Sequence, residues 1–576
     1  MSRSALTFKA LAARLARPGA AAGNRLAARR ARLGTRPKVA ETLPEPVLLG
    51  DADRGQALVD GRWTVPGRET VVGQGSIWQA DIADPRLEDA RQSFLWLDDL
   101  AALGRRPARL LAQSWVQDWI RRYGHGSGPG WRPEIAGRRA KRWATHSAML
   151  TQGLDRTAAD RFWKALAAQQ RYLVTRWSRA PEGVPRLRAL TGLVWTGVVL
   201  PHPGHDAALR DLAGVAEAMI DGEGGVESRA PEDLAEALIL LIWTARLVED
   251  AGQSVPPPLL AAVARAVPVT RALRMGDGSM AEFQGGGAGS ADALDQALAE
   301  LRLGVQPKPK LPMGYARLTG GRVAVVMDGA APPGGDAALT AHAGTLAFEM
   351  SVGRLPMVVN AGTGAAFGPD WARLSRQTGA HSTVDVDGRS SARLVSTGLA
   401  ARTFGARLED GPTLVSVKQA HDATGTWLLA THDGYVGSHG LLHERRIFVD
   451  AKGLEARGED ILSVTDARSR TRFDRISAAG AVTLAARFHL HPDVRAELDG
   501  LRQIVVLTLP GGEVWVFRAA GGFLELEQSV RFDPARAEPA QTLQMVVRAE
   551  VVEYLGQITW SFARTAEAPA EEPGAA

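Results

Sequence analysis

No cysteine occurs anywhere in the sequence, which removes disulfides, thiol nucleophiles and thiolate metal ligands together. Tyrosine is scarce, at 5 against 15 tryptophans; tryptophan is the favoured platform for sugar rings, although most of these indoles read as helix core. Long apolar runs are missing too. The most apolar segment, residues 189–200, falls short of the roughly 20 residues a bilayer span needs and reads as a buried helix. No acid precedes Glu41, whereas that stretch holds Arg3, Lys9, Arg14, Arg17 and further cations, so much of the formal charge of +5 is local. The remainder is close to neutral, which argues against a nucleic-acid protein with a broad basic face. Lys9, Arg14 and Arg17 also interrupt the apolar core that a secretory signal requires. The arm reads as a solvated basic tail, with amphipathic contact to anionic lipid as the alternative. A P-loop, a dinucleotide fingerprint and HExxH are all absent, and the glycine-rich residues 285–290 follow no strand.

What is present divides near residue 305. At roughly 150 residues per domain the length predicts two to four domains, and the periodicity supplies two large ones. Phe94, Leu95, Leu97, Leu100 and Leu103 follow the spacing of one helix face, as do Leu111, Trp115, Trp119 and Ile120. Further helices are predicted over residues 140–154, 157–177, 185–200, 207–220, 231–251 and 257–274. Beyond a proline-punctuated connector the pattern becomes short β-branched and aromatic runs at 321–328, 413–419, 426–431, 445–449, 503–509 and 513–518. Pro510-Gly511-Gly512 marks a hairpin between the last two. The fold class is therefore α + β multidomain, an all-helical half followed by an antiparallel β-sandwich. The predicted organisation is a basic arm over 1–40, a helical domain over 41–303, a linker over 304–312, a sandwich over 313–564 and a disordered tail over 565–576.

Histidines and arginines supply the reactive candidates. His381 stands at the mouth of an alternating strand in Gly379-Ala-His381-Ser-Thr-Val-Asp-Val-Asp387-Gly388, and His342 lies in a similar upstream setting. In the helical half Arg138-Arg-Ala-Lys-Arg142 opens a helix, with Trp143 and His146 three apart on one face. His432, His443, His489 and His491 read as structural residues that hydrogen-bond their neighbours.

Several of these segments together resemble the heparinase II/III-like family of polysaccharide lyases. The resemblance rests on residues 374–388, on His432-Asp-Gly-Tyr435, on Gly458-Glu-Asp-Ile-Leu462 and on Arg487-Phe-His-Leu-His-Pro492. It extends to Trp131-Arg-Pro, Arg138-Arg139, Trp143, His146, Glu227-Ser-Arg-Ala-Pro-Glu-Asp and Gly276-Asp-Gly-Ser in the helical half. It implies an (α/α) toroid closed by the sandwich, with a site between them that cleaves uronic-acid polysaccharide by β-elimination. That chemistry needs a donor or cation for the enolate-like intermediate, a base for the carbon-5 proton and an acid for the leaving oxygen.

Carried over to this chain, the resemblance assigns His381 or His342 as base and Tyr435 as acid. Arg229, His146, Arg139 and Asn360 become substrate contacts. Some family members hold zinc between two such histidines and an aspartate; Asn360 stands at the aspartate position, and a neutral amide is a poor zinc ligand, so no metal or cofactor is expected. Ala230 cannot neutralise a carboxylate where the family places an Asn, whereas Arg229 can. Phe283 and Phe367 stand where the family has tyrosines. The implied partner is an acidic polysaccharide or oligosaccharide, and no nucleic acid or transmembrane segment is expected. The implied location is the cell envelope or periplasm, with the cytoplasm as the alternative because no export signal is evident. A catalytically weakened glycan-binding envelope protein of the same fold is the rival reading. A hydrolase would need two carboxylates about 5–10 Å apart, which the cleft segments do not offer.

Overall fold

The computed structural model describes residues 19–45, 50–65, 67–73, 75–301 and 310–565. The first 18 residues of the basic arm, most of the linker and the tail beyond Thr565 lie outside the described residues. Residues 19–31 form a helix (α1). It is not a solvated tail: Ala28 and Ala31 are buried, and Arg171 Nε donates to Ala31 O at 2.6 Å.

The helical half continues with Ala52–Val59 (α2), Pro85–Gln92 (α3), Leu95–Leu103 (α4), Arg106–Tyr123 (α5), Pro133–Thr145 (α6) and Ser147–Thr151 (α7). Arg156–Arg176 (α8), Val184–Val199 (α9), His205–Met219 (α10), Pro231–Asp250 (α11), Pro257–Ala272 (α12) and Ala291–Ala299 (α13) complete it. Proline in the first turn starts α5, α6, α9, α11 and α12, where its missing N–H costs nothing. Pro133 explains why α6 begins seven residues before the predicted 140. Phe94, Trp96, Trp119 and Trp143 pack edge-on and tilted in the core, with Phe94 4.8 Å from Trp96 and 5.3 Å from Trp143. Helices α6 and α9 touch through glycines: a Cβ on Gly137 would lie 2.2 Å from Arg188 O, and one on Gly192 2.2 Å from Gly137 O. The helical period did not anticipate the hairpin Arg62–Val65 (β1) and Arg68–Val71 (β2), whose strands are short and mostly half-buried or exposed around a buried Trp63, and so lack a long apolar alternation.

The second half opens with Tyr315–Gly320 (β3), Val323–Asp328 (β4), Phe348–Val352 (β5), Leu355–Val359 (β6) and Val384–Val386 (β7). Arg393–Val395 (β8) and Arg407–Glu409 (β9) form a small ribbon. There follow Val415–His421 (β10), Gly425–Tyr435 (β11), Leu441–Asp450 (β12), Glu455–Ser463 (β13) and Thr483–Leu490 (β14). Arg495–Leu498 (β15), Ile504–Thr508 (β16), Val514–Ala520 (β17), Phe523–Arg531 (β18), Ala540–Glu550 (β19) and Leu555–Arg564 (β20) end the chain. One sheet has the order β18-β19-β14-β6-β5-β4-β3 with β7 beside β14, and the other β10-β11-β12-β13-β20-β17-β16-β15. All these pairings are antiparallel, including the predicted β16–β17 hairpin. An N-terminal helical toroid followed by an antiparallel sandwich is the architecture expected.

A polar staple runs through the apolar sandwich core. Arg445 grips Asp460 with Nε at 2.7 Å and Nη2 at 2.9 Å, while its Nη1 reaches Leu346 O and Ser382 O at 2.7 and 2.8 Å. The Gly434 N–H donates to His432 Nδ1, so His432 donates from Nε2 to His443 Nδ1, and His443 donates from Nε2 to Asp460 Oδ1. Both imidazoles are thereby neutral, and both serve the structure. Asp460→Asn would leave Arg445 buried without its counter-charge. The expected loss is about 3–5 kcal/mol in urea unfolding, whereas Arg446→Gln on the exposed face of β12 should cost under about 1 kcal/mol.

Candidate functional site

The toroid and sandwich meet at Asp328, the last residue of β4, which is fully buried. Arg229, immediately before the Ala230-Pro231 start of α11, pairs with Asp328 through Nη2. Its Nε donates to Met313 O at 2.9 Å and its Nη1 to Ala331 O at 2.8 Å. Gln284 Nε2 donates to the other Asp328 oxygen at 2.7 Å, and Gln284 Oε1 accepts from the His342 backbone N–H at 3.0 Å. Leu346 N–H donates to Asp328 O at 2.8 Å. Arg229, Gln284 and Leu346 all adopt left-handed backbone, with φ of 52°, 54° and 60°. Such strain persists only where contacts over-determine it, and here all three residues bond to one aspartate. Burial opposes the charge on Arg229, yet Asp328 holds its pKa above the ordinary value.

The two candidate bases are adjacent and sealed. His342 Nδ1 and His381 Nε2 lie 3.1 Å apart, and His381 Nδ1 faces Gln377 O at 2.8 Å. A carbonyl only accepts, so His381 carries its proton on Nδ1 and His342 donates from Nδ1 to His381 Nε2. The remaining lone pair of the couple is then His342 Nε2, which faces the Gly285 loop. The two rings are 4% and 3% exposed. Burial brings the His381 pKa down to about 4 and drives that of His342 well below the ordinary value, with His381 adding to the effect on His342. The loop leaves little room above them: a Cβ on Gly285 would lie 2.8 Å from Thr340 O, and one on Gly286 3.2 Å from Glu232 Cβ. Gly287 N–H donates to Glu232 Oε2 at 2.6 Å.

Asn360 lies beside this pair but is spent on the fold. Its Oδ1 accepts from Ser382 N–H at 3.1 Å, and its Nδ2 donates weakly to Glu282 O and Glu349 Oε1, each at 3.4 Å. Arg531 Nη1 donates to Asn360 O at 2.7 Å, and its Nη2 pairs with Glu282. Burial pushes Glu282 up to about 7 against the pull of Arg531 and raises Glu349 as well. Zinc does not fit these residues. The histidines bond each other, the third position is an amide already bonded to backbone, and among the described residues no three His, Asp or Glu side chains converge on a metal position.

Three other predicted site residues are elsewhere. Tyr435 is sealed in the sandwich, donating to Val384 O at 2.6 Å, and burial raises its pKa. His146 Nε2 bonds Asp98 Oδ1 at 2.9 Å at the end of α6, and Arg142 Nε holds the same carboxylate at 2.6 Å. Arg139 sits 4.2 Å from the Trp119 ring and 5.2 Å from that of Trp131, with Nε on Gln169 at 2.7 Å and Nη1 on Gly130 O at 2.8 Å. It braces the aromatic core; its Nη2 has no hydrogen-bond partner but is sealed from solvent, so no substrate reaches it. His342, His381, Asn360 and Arg229 are therefore brought together, and Tyr435, His146 and Arg139 are not.

The sequence reading missed Asp328, Gln284 and Tyr315. Tyr315 donates from its hydroxyl to Arg229 O at 2.7 Å, beneath a guanidinium 4.8 Å from its ring. An acid closing the otherwise apolar run of β4 was the available signal for Asp328. Also missed was a half-buried charged wall inside the toroid. Arg188 Nε bonds Glu236 at 2.6 Å. Nearby, burial and neighbouring arginines bring Arg138 down to about 9 and Lys141 to about 8. Four cavities of 420 to 920 Å³ touch neither His342, His381 nor Arg229. The 920 Å³ one is a groove on the exposed face of the second sheet, floored by Trp427 and Phe448 and flanked by Lys418, Arg446, Arg457 and Arg518 together with Glu455 and Glu459.

A family model described as Heparinase II/III-like, C-terminal, matches residues 306–561. FtsZ-localized protein C of Caulobacter vibrioides is 33% identical over 534 residues, covering 90% of this chain and 89% of that protein. The crystal structure of heparinase III aligns over 93% of this chain and 88% of its own, at a TM-score of 0.69 and 12% identity. Heparan sulfate lyase HepC from Pedobacter heparinus aligns over 98% and 91%, at 0.57 and 14%.

The sealed histidines make stability depend on pH. Burial places His381 at about 4 and His489, which bonds Ser529 and Gly379 O, at about 3. Unfolded imidazoles titrate near about 6.5, so unfolding takes up a proton at each below that pH. Their contribution is complete above about pH 6.5 and declines as pH falls toward 4. Urea unfolding across this range should show that slope, with His381→Gln and His489→Gln each lowering the proton uptake by about one. An unchanged slope would mean the imidazoles titrate normally in the folded chain.

Proposed function

The chain belongs to the heparinase II/III-like family, and from that membership we propose that it is a non-cleaving member, a binding protein of the cell-division apparatus built on a lyase scaffold. One observation carries the reading. The guanidinium suited to neutralising a uronate carboxylate is committed to Asp328, Met313 O and Ala331 O. β-Elimination needs that cation free, a base at the carbon-5 proton and an acid at the leaving oxygen. Here the base pair is covered, Phe283 and Phe367 supply no hydroxyl, and the phenol that is present, Tyr315, bonds the main chain of Arg229.

The location comes from the relative named for FtsZ; carried to this chain, it favours the cytoplasmic side over the periplasm that the lyase resemblance implied. No described helix is long and apolar enough to cross a membrane. The exposed groove on the second sheet, with its aromatic floor and a rim of mixed charge in which Arg446 pairs with Glu459 and Arg457 with Glu455, is the contact surface this reading uses.

Lyase action on an acidic polysaccharide is the second reading, favoured by the lone pair at His342 Nε2 and by Arg138 and Lys141 inside the toroid. Absorbance near 235 nm from unsaturated uronate separates the two. Incubation with heparan, hyaluronan, alginate and native bacterial exopolysaccharide should give no rise, and a fluorescent fusion should gather at the division site. A rise that His342→Ala abolishes would overturn the non-cleaving reading, and a uniformly dispersed fusion would overturn the division role.

A further inference from the structure

Four arginines from both halves of the molecule line one 510 Å³ cavity at the toroid–sandwich junction, away from the histidine pair. Arg271 is on the last turn of α12 and Arg274 just beyond it; Arg317 is on β3, and Arg354 directly precedes β6. The two halves are in tight contact there, since a Cβ on Gly276 would lie 1.7 Å from Gly353 O.

Two carboxylates share the wall, Asp277 and Asp295. Asp295 pairs with Arg274 at 2.6 Å. Asp277 accepts from Ser279 N–H at 2.9 Å and Ser279 Oγ at 2.6 Å, so its own turn occupies it. Arg317 donates only to carbonyls, Ala272 O at 3.1 Å and Arg274 O at 2.6 Å, and burial lowers its pKa with no acid to restore it. Among the described residues, none of Arg271, Arg317 and Arg354 has a carboxylate within ion-pair distance. The cavity thus holds an excess of two positive charges, one of them on a side chain anchored by main-chain carbonyls.

We propose that this cavity binds a phosphate monoester carried on a larger molecule. A phosphate ester brings roughly 1.5 to 2 negative charges near neutral pH and three acceptor oxygens, matching the excess charge and the forked donors of the guanidiniums. A carboxylate brings one charge and leaves the second uncompensated. The volume exceeds what a bare oxyanion fills and admits the group that bears it. Because α12 and β3 both contribute, the bound ester clasps toroid to sandwich. The inference is independent of whether the family site cleaves.

Isothermal titration at fixed ionic strength tests it, with glucose 6-phosphate, inorganic phosphate and glucuronate as probes. Glucose 6-phosphate is expected to bind saturably at one site, more tightly than glucuronate. The double variant Arg271→Gln/Arg354→Gln, which alters two exposed side chains that make no close ion pair (Arg354 acts on Asp295 only at longer range), should weaken it about tenfold or more. Arg322→Gln, outside the cavity, should leave it unchanged and so exclude a general charge effect. Tighter binding of inorganic phosphate than of the ester would overturn the carried-ester assignment. No saturable binding, equal binding by the double variant, or a preference for glucuronate would overturn the site.

Discussion

The pairing of Arg229 with Asp328 is the constraint around which the molecule is arranged. It joins the start of α11 to the end of β4 across the domain junction, in a place where both partners are withdrawn from water. A buried ion pair of this kind seldom adds much net stability, because desolvation offsets its attraction. Its effect is positional. Once Asp328 is inside, its oxygens must be satisfied, and Arg229 and Gln284 comply at the expense of unfavourable backbone angles. Gln284 then fixes the main chain of His342, Gln377 O fixes the tautomer of His381, and His381 in turn fixes that of His342. A second bond across the junction, Arg531 to Glu282, holds the glycine-rich loop from its other side. The shape of the crevice follows from these two ion pairs more than from any catalytic residue.

This arrangement also accounts for what could be read from the residues alone. Helix and strand periods are local properties, so the division near residue 305 was legible, as were most helices and the β16–β17 hairpin. The resemblance carried the toroid and brought His342, His381, Asn360 and Arg229 to one place. It said nothing of what their polar atoms would bond to, because those partners lie far away in the chain: Arg229 with Asp328, Gln284 with His342, Asn360 with Ser382. Arg139 and His146 illustrate the same limit. A cation and an imidazole on an amphipathic helix look available for a ligand until the packing of α6 shows that tryptophans surround one and Asp98 holds the other. Tyr435 looked like a reagent because the resemblance offered it as the acid, yet the sandwich required its hydroxyl to satisfy Val384 O. The toroid's charged wall was obscured by its own sequence, in which Arg138-Arg-Ala-Lys-Arg142 is only a basic run on a helix; the packing of α6 on α9 through Gly137 and Gly192 places it near Glu236.

Polar groups are concentrated in two buried chains with different roles. In the sandwich the sequence His432, His443, Asp460, Arg445 ends on carbonyls of the loops that lead into β5 and β7 of the opposite layer, so it ties the layers together. At the junction the sequence Arg229, Asp328, Gln284, His342, His381 ends on Gln377 O and ties the domains. Neither chain leaves an acid or base that faces an open cleft, and both keep their imidazoles neutral near physiological pH. Histidines that attract attention in a sequence as reagents are here acting as directional connectors.

The Gly285–Gly286 stretch gives the crevice its gauge. Beside the histidine pair the space between toroid and sandwich is the thickness of a main chain carrying hydrogens only, with Thr340 against Gly285 and Glu232 against Gly286. For a descendant of this chain to admit a pyranose ring, the loop itself would have to be rerouted, so a return to an open cleft demands an insertion or deletion and not a handful of point changes.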